Sequence, residues 1–330
     1  MLQQHFVPGR LGAVRVVHYA GDMRSGVEQA IQLMQGSDPA AIEKAISLLQ
    51  DTVYSFSVKV CGHPEDAEDT MQYVLMKSIP HLARFDNQQA LKVWLYKVAR
   101  NRCISSHRGA EAASARHLSL DELMPDGREL MGLVKSNELD PEALLLNREV
   151  GDQLEQAIGS LPEGYRMVLA LHDMEELDTA EVAEITGLRA ATVRVRLHRA
   201  RLMVRKYLSD RAKDAEGITI HAGAEPARPP RCRKLFAALS DYIDGLVDDA
   251  VCEQMDRHIG DCQPCQVFLR SLKSTVQLCR AYSPECRSPR GEEIRRQLVS
   301  EYQAAVSELS KMKQVSSAKV SGSCFGNSSK

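Results

Sequence analysis

His258, Cys262 and Cys265 follow one another in the pattern H-x3-C-x2-C, and Cys232 stands upstream of them. Along a helix, positions i, i+4 and i+7 share one side, so an imidazole and two thiolates can meet a single tetrahedral ion. Cys232, on the preceding helix, is the candidate fourth ligand, and a Cys3His set is donor chemistry suited to zinc. Four protein ligands leave no open position for a substrate, and no acid–base pair accompanies them. A structural or regulatory zinc is therefore expected, and a catalytic one is not. Five of the nine cysteines (Cys232, Cys252, Cys262, Cys265 and Cys279) crowd into this region. Nine are too few for a disulfide scaffold in 330 residues, so the clustering reads as metal or redox chemistry in a reducing cytoplasm. Cys252, Cys279 and Cys286 are spare thiols available for ligand exchange or oxidation. No role falls to Cys324.

A different chemistry is concentrated between Asp178 and Lys206. From Arg189 to Lys206 there are seven Lys or Arg residues and no Asp or Glu. The preceding segment carries Val182 and Ile185 three apart among Glu181 and Glu184, and then Gly187, suited to the left-handed turn between two helices. The basic segment is apolar at Val193, Leu197, Ala200 and Val204, spaced three and four apart. Helix, glycine turn and basic helix make the pattern of a helix-turn-helix whose second helix enters the major groove. The plainer reading, a solvated basic face on a bundle helix, fits poorly with so long a stretch without acid. Net charge is −2, so DNA binding must be the property of a local patch. A second basic stretch runs from Asp86 to Gly109. Leu91, Trp94, Leu95 and Val98 make its apolar face, while Lys92, Lys97, Arg100, Arg102, His107 and Arg108 are interleaved with Tyr96 and Asn101. That mixture suits tracking of a backbone and stacking on unpaired bases. Trp94 itself reads as core.

The elements that must position these groups are helical. Apolar residues make up 44% of the chain and aromatics only 5%, which favours helices built from Leu, Ala, Val and Ile over a β-rich fold. The length predicts two or three domains. No run of 18 apolar residues occurs, and Arg15 and His18 break the N-terminal LGAVRVVHYAG, so neither a membrane span nor a secretory leader is expected. A short helix is predicted near Val27–Met34. Ile42, Ala45, Ile46, Leu49 and Val53 form a helical stripe. The next helix opens at Pro64 with Glu65, Asp66, Glu68 and Asp69, which by themselves read as partners of its positive end, and continues with Val74, Leu75 and Ile79. Residues 110–148 are polar, with Pro125 and Gly127, and read as flexible. Leu154, Ile158, Leu161, Val168, Leu169 and Leu171 supply a further core, with LPEGYR as a break between helices. Gly217, Gly223, Pro226, Pro229 and Pro230 mark residues 212–231 as a tether. A last amphipathic helix is predicted over 291–312, with Ile294, Leu298, Tyr302 and Leu309, before a Ser/Gly/Lys-rich tail.

Taken in order, DAEDTMQ, FDNQQALKVWLYKVARN, a linker, and LEQAIGSLPEGYRMVLALHDMEELDTAEVAEITGLRAATVRVRLHRARLMVRKYL resemble the extracytoplasmic-function class of bacterial sigma factors. The resemblance covers residues 40–109 and 150–208. It implies a first domain that docks on RNA polymerase through Asp66, Asp69 and Gln72 and opens the −10 element. Lys97, Arg100, Asn101 and Arg102 would handle its non-template strand. It implies a second domain that reads the −35 element, with Arg194, Val195, His198 and Arg199 toward bases. Arg196, Arg201 and Lys206 fall on other faces and would hold phosphates, and Thr192 would contact a phosphate or satisfy its own helix. An arginine paired twice with guanine contributes roughly 1–3 kcal/mol of discrimination. This resemblance turns the acidic start of the Pro64 helix into an expected partner surface. Leu75 stands where the family usually has an aromatic, and Val195 where it usually has a small polar residue.

Residues 232–269, with LSDYIDG before the metal ligands, resemble the zinc-binding anti-sigma domain, which in that family wedges between the two sigma domains and blocks polymerase. Members of that family can hold their fold without metal. The domains expected are an extension (1–36), sigma region 2 (37–109), a linker (110–139), sigma region 4 (140–210), a second linker (211–230), the zinc-finger domain (231–287), and a helix with a disordered tail (288–330). The whole is an all-α, cytoplasmic sigma factor that binds core RNA polymerase and promoter DNA, is no enzyme, and regulates itself through zinc or thiols. The arrangement leaves room for contact between the zinc module and the sigma domains. The alternative is a helix-turn-helix regulator with a zinc module that acts without polymerase.

Overall fold

A computed structural model describes residues 23–34, 38–82, 88–107, 148–215, 235–282 and 290–304, together with Leu123 and Cys232. Every regular element among them is helical. The first bundle is α1 (Met23–Met34), α2 (Pro39–Cys61), α3 (Pro64–Leu82) and α4 (Gln88–His107). The Asp38 side chain caps α2 by accepting from the Ala40 N–H, with Pro39 in the first turn. The expected stripe from Ile42 to Val53 is buried throughout. Gly62 stops the helix at φ 82°, a left-handed conformation in which its N–H donates to the Val58 carbonyl. Leu91, Leu95 and Ala99 of α4 close the bundle's core.

The second bundle is α5 (Arg148–Gly159), α6 (Glu163–Leu169), a π-helical turn (Ala170–Met174), α7 (Thr179–Thr186) and α8 (Ala190–Ala215). Asp178 and Glu181 form a reciprocal capping box at the start of α7, and Gly187 turns the chain into α8 at φ 71°. The turn anticipated at Gly187 is where the sequence puts it. Helix α8 continues five residues past the expected domain boundary at 210; residues 216–231, the rest of the anticipated tether, lie outside the described residues.

The third unit is α9 (Leu239–Ile243), α10 (Asp249–Asp261) and α11 (Gln263–Ala281), followed by a helix over residues 290–304, α12. Its small core, Phe236, Leu239, Met255, Ile259, Phe268, Leu269 and Leu272, also contains Leu202 from α8 and Leu123 from the expected linker. It is therefore completed by side chains from outside the unit. Apart from Leu123, residues 110–139 lie outside the described residues, and Leu123 is not a solvated linker residue: it is fully buried. At the other end, Leu278 and Cys279 of α11 and Ile294, Leu298 and Tyr302 of α12 join the core shared by the first two bundles. Leu309 and the C-terminal tail lie outside the described residues. No helix among those described is long and apolar enough to cross a membrane.

Candidate nucleic-acid interface and metal centre

Cys232, His258, Cys262 and Cys265 come together, all four ligand atoms lying within 4.8 Å of one another. His258 Nε2 is 3.4 Å from Cys232 Sγ and 3.2 Å from Cys265 Sγ. A tetrahedral zinc with its usual bond lengths sets sulfur and nitrogen ligands about 3.5 Å apart, so the donor set fits that ion. The local geometry differs from the expected single helix. Cys262 is extended (φ −123°, ψ 93°) at the junction of α10 and α11, with Pro264 in the first turn of α11. The ligands are thus presented at a helical corner, which Pro264 enforces by removing a backbone donor. Burial, together with the neighbouring Cys262 and Cys232, pushes the Cys265 thiol well above its ordinary range. The two described spare thiols are poorly placed for the expected reactivity. Cys279 is buried and raised by desolvation, and Cys252 is raised by burial and by Asp256 and Asp249. Cys286 lies outside the described residues.

Helix α8 presents its arginines unequally. Arg194 and Val195 are exposed, Val195 at 56%. Thr192, Arg196 and Arg199 are half-buried. The Arg199 guanidinium donates to the Tyr165 hydroxyl at 3.4 Å, and Arg196 lies over Gly164, where an added Cβ would come within 2.8 Å of its Nη1. Two residues expected at DNA are instead inside the protein. Arg201 is fully buried. Its Nε and Nη2 donate to Asp173 at 2.7 and 2.5 Å, and its Nη1 and Nη2 donate to Asp244 at 2.8 and 2.9 Å. Four of five N–H groups are so engaged, in two bidentate pairs. Burial alone would neutralise Asp173, but Arg201 overrides it and holds the carboxyl far below its usual range. His198 is also buried, its Nδ1 2.9 Å from the Ser240 hydroxyl and its ring edge-on to Phe236. Desolvation first, then Arg201 and Arg199, lower its pKa to about 4. Ser240 and Asp244 belong to the LSDYIDG stretch, so α9 and the turn after it sit on the recognition helix. Asp241, in the same stretch, is raised by burial and drawn back down by Arg194.

The first bundle holds the other expected residues. Asn101 and Arg102 are exposed and Arg100 is half-buried at the far end of α4. The Arg100 guanidinium donates to Asn101 Oδ1 at 3.2 Å, and that of Arg102 lies 5.1 Å from the Tyr73 ring. Lys97 pairs with Glu184 of α7 at 2.8 Å, an exposed contact between bundles. Tyr96 and Lys92, read as part of a basic surface, are buried. Tyr96 packs 4.6 Å from the Phe56 ring and donates to Glu175 at 2.6 Å. Lys59 donates to the same carboxylate at 2.8 Å, and both partners are desolvated. This three-residue junction between bundles went unread in the sequence; its one signal is a lysine inside the apolar stripe of α2. Asp69 meets Arg290 of α12, which also lies 3.7 Å from Glu68, and Gln72 donates to Gln297 at 3.5 Å. Asp66 is half-buried nearby. The Gln50 side chain donates to the Gly291 carbonyl at 2.7 Å, anchoring the start of α12 on α2.

Comparison with known families divides the chain in the same way. Residues 45–112 match sigma-70 region 2, residues 151–204 match sigma-70 region 4, and residues 232–266 match a putative zinc-finger family. The ECF RNA polymerase sigma factor SigW of Bacillus subtilis is 26% identical over 188 residues, covering 57% of this chain and 100% of that protein. The sigma factor YlaC of the same organism is 29% identical over 178 residues, covering 54% and 97%. The ECF RNA polymerase sigma-E factor of Escherichia coli K12 is 30% identical over 136 residues, covering 41% of this chain and 70% of that protein.

Proposed function

The chain belongs to the extracytoplasmic-function class of sigma factors, and from that premise we propose that it directs core RNA polymerase to promoters while carrying its own restraint in the C-terminal zinc-finger module. Region 2, proposed as residues 37–109, docks on polymerase through Asp66, Asp69 and Gln72. It takes the separated −10 strand on Lys97, Arg100, Asn101 and Arg102. Region 4, proposed as residues 140–210, reads −35 duplex with Arg194, Val195 and Arg199, while Thr192 and Arg196 hold phosphates. The whole cycle belongs to the cytoplasm. Zinc on Cys232, His258, Cys262 and Cys265, when bound, supplies the cross-link between α10 and α11 that a unit with so small a core requires.

The observation that carries the restraint is Arg201, held between Asp173 of region 4 and Asp244 of the zinc module. Through that fork, α9 is held against α8 beside the exposed Arg194 and Val195, where it would crowd an approaching duplex. Elements at −10 and −35 are about 25 base pairs apart, roughly 85 Å of B-DNA at about 3.4 Å per step. In this conformation Lys97, of the −10 set, touches Glu184 on the helix before the −35 reader. A factor so closed cannot engage both elements. Helix α12 adds to this by lying on Glu68, Asp69 and Gln72, the acidic face proposed for polymerase. A regulator that ignores polymerase is disfavoured, because the sigma-70 region 2 match spans 68 residues that such a protein would not need.

The test is multi-round transcription from genomic fragments by purified core polymerase, with the full chain and with a form ending at residue 230. The truncated form should give promoter-specific transcripts, and the full chain fewer of the same ones. Absence of specific transcripts from both forms overturns the sigma assignment. Equal output from both leaves the assignment intact and removes the restraint.

A further inference from the structure

Two cysteines stand apart from the zinc cluster. Cys61 is the last residue of α2 and Cys103 lies near the end of α4; their sulfurs are bonded, and their Cα atoms are 5.4 Å apart. That separation is within the range a disulfide spans without backbone movement. Both are buried in the core of region 2, and the Thr70 hydroxyl of α3 lies 3.6 Å from one sulfur and 3.7 Å from the other. They are 42 residues apart and belong to no short sequence motif. Their helices are also those that carry Lys59 and Tyr96 to Glu175 of region 4. Lys59 is two positions before Cys61, and Tyr96 is two helical turns before Cys103.

We propose that Cys61 and Cys103 are a redox-active pair, a modification site in region 2 chemically separate from the zinc cysteines. In the reducing compartment proposed above, such a bond is a sensing bond and not a permanent staple. The oxidant is a peroxide or a small-molecule disulfide such as oxidised glutathione. With hydrogen peroxide, one thiolate attacks the O–O bond, taking one oxygen as a sulfenic acid and releasing the other as water. The second thiolate then attacks that sulfur and expels a second water. Two thiols and one peroxide thus give one disulfide and two waters, the sulfurs oxidised by two electrons and the peroxide reduced by two. The pair lies just beneath the C-terminal end of α2, where the next residues, Gly62 and His63, are exposed, so local fraying of that helix end would admit the oxidant. Once closed, the bond ties α2 to α4 across a long loop and fixes the two helices in the register that receives Glu175.

The test uses full-length protein with zinc present, equilibrated in dithiothreitol, in hydrogen peroxide, or in oxidised glutathione, then blocked with a maleimide and digested with trypsin. Cleavage after Lys59 and Arg102 releases residues 60–77 and 103–108. These two peptides should appear as one cross-linked species under both oxidants and separately, each maleimide-labelled, under dithiothreitol. Oxidation should also raise Tm by roughly 5–10 °C in the wild type, with no such rise in the Cys61→Ala/Cys103→Ala form. Should that double variant fold poorly, the peptide map of the wild type still decides. Free labelling of Cys61 and Cys103 after oxidation, or linkage of either to a zinc-cluster cysteine, overturns the proposal. Neither readout requires transcription, so failure here leaves the sigma assignment untouched.

Discussion

The two surfaces proposed to read promoter DNA are covered in different ways. On α8, the proposed −35 reader, Arg194 and Val195 stay exposed, but the helix beside them is held in a built interface: Arg201 is fully desolvated between two carboxylates, His198 is buried against Phe236 and Ser240, and Leu202 belongs to the core of the zinc-finger unit. On α4, the −10 reader, Asn101 and Arg102 remain exposed, and the one direct pair between Lys97 and region 4 is a solvent-washed contact. Exposed pairs contribute about 0–1 kcal/mol, whereas losing one partner of a buried pair costs about 3–5 kcal/mol. The proposed restraint would thus act on α8 and, through α12, on the face proposed for polymerase. The proposed −10 face would be kept from use by geometry, with α7 of the second bundle against Lys97.

That contrast orders the predictions. Zinc bound as proposed would contribute on the order of 10 kcal/mol to the zinc-finger unit, so on treatment with a chelator α9 and α10 should lose their hydrogen-exchange protection while α2 and α3 keep theirs. Uniform retention of protection would mean that the unit folds on its apolar core alone. Lys59→Met leaves Glu175 buried without its cation and should lower stability by about 3–5 kcal/mol, read as a fall in the denaturant midpoint; Lys97→Met should change it by less than about 1 kcal/mol. In the form ending at residue 230, Arg194→Ala should weaken binding to the preferred −35 duplex by about 1–3 kcal/mol, with a smaller effect on random duplex. Acidification gives a smaller effect than Lys59→Met. Free histidine takes up a proton below about 6.5, but folded His198 resists until about 4. The stability that His198 contributes is complete above about pH 6.5 and disappears as the pH falls toward 4. Between pH 7 and 5 the α8–α9 contact should weaken by about 1–2 kcal/mol, and His198→Phe should flatten that dependence.

Much of the scaffold was legible because its signals are local. The stripe from Ile42 to Val53, Pro64 as a helix start, the Asp178 cap and Gly187 each act within a few residues. The metal ligands were legible as residue types and spacing, although the corner at Cys262 was missed because a period of i, i+4, i+7 looks the same across a helical break. The burial of His198 and Arg201 was missed for the opposite reason. On an isolated helix, an arginine among arginines reads as solvent-facing; only carboxylates from Asp173 and Asp244, 28 positions upstream and 43 downstream, make its burial favourable. The Lys59–Glu175–Tyr96 junction and the seat of Arg290 on Asp69 depend in the same way on distant partners.

The most direct test of the restraint is the affinity of zinc-loaded, full-length protein for a duplex bearing its −35 element, wild type against Asp244→Ala. Removing that carboxylate leaves Arg201 paired with Asp173 but unties the zinc module. The Asp244→Ala form should therefore bind the duplex about 10- to 100-fold more tightly. Equal or weaker binding would contradict the account.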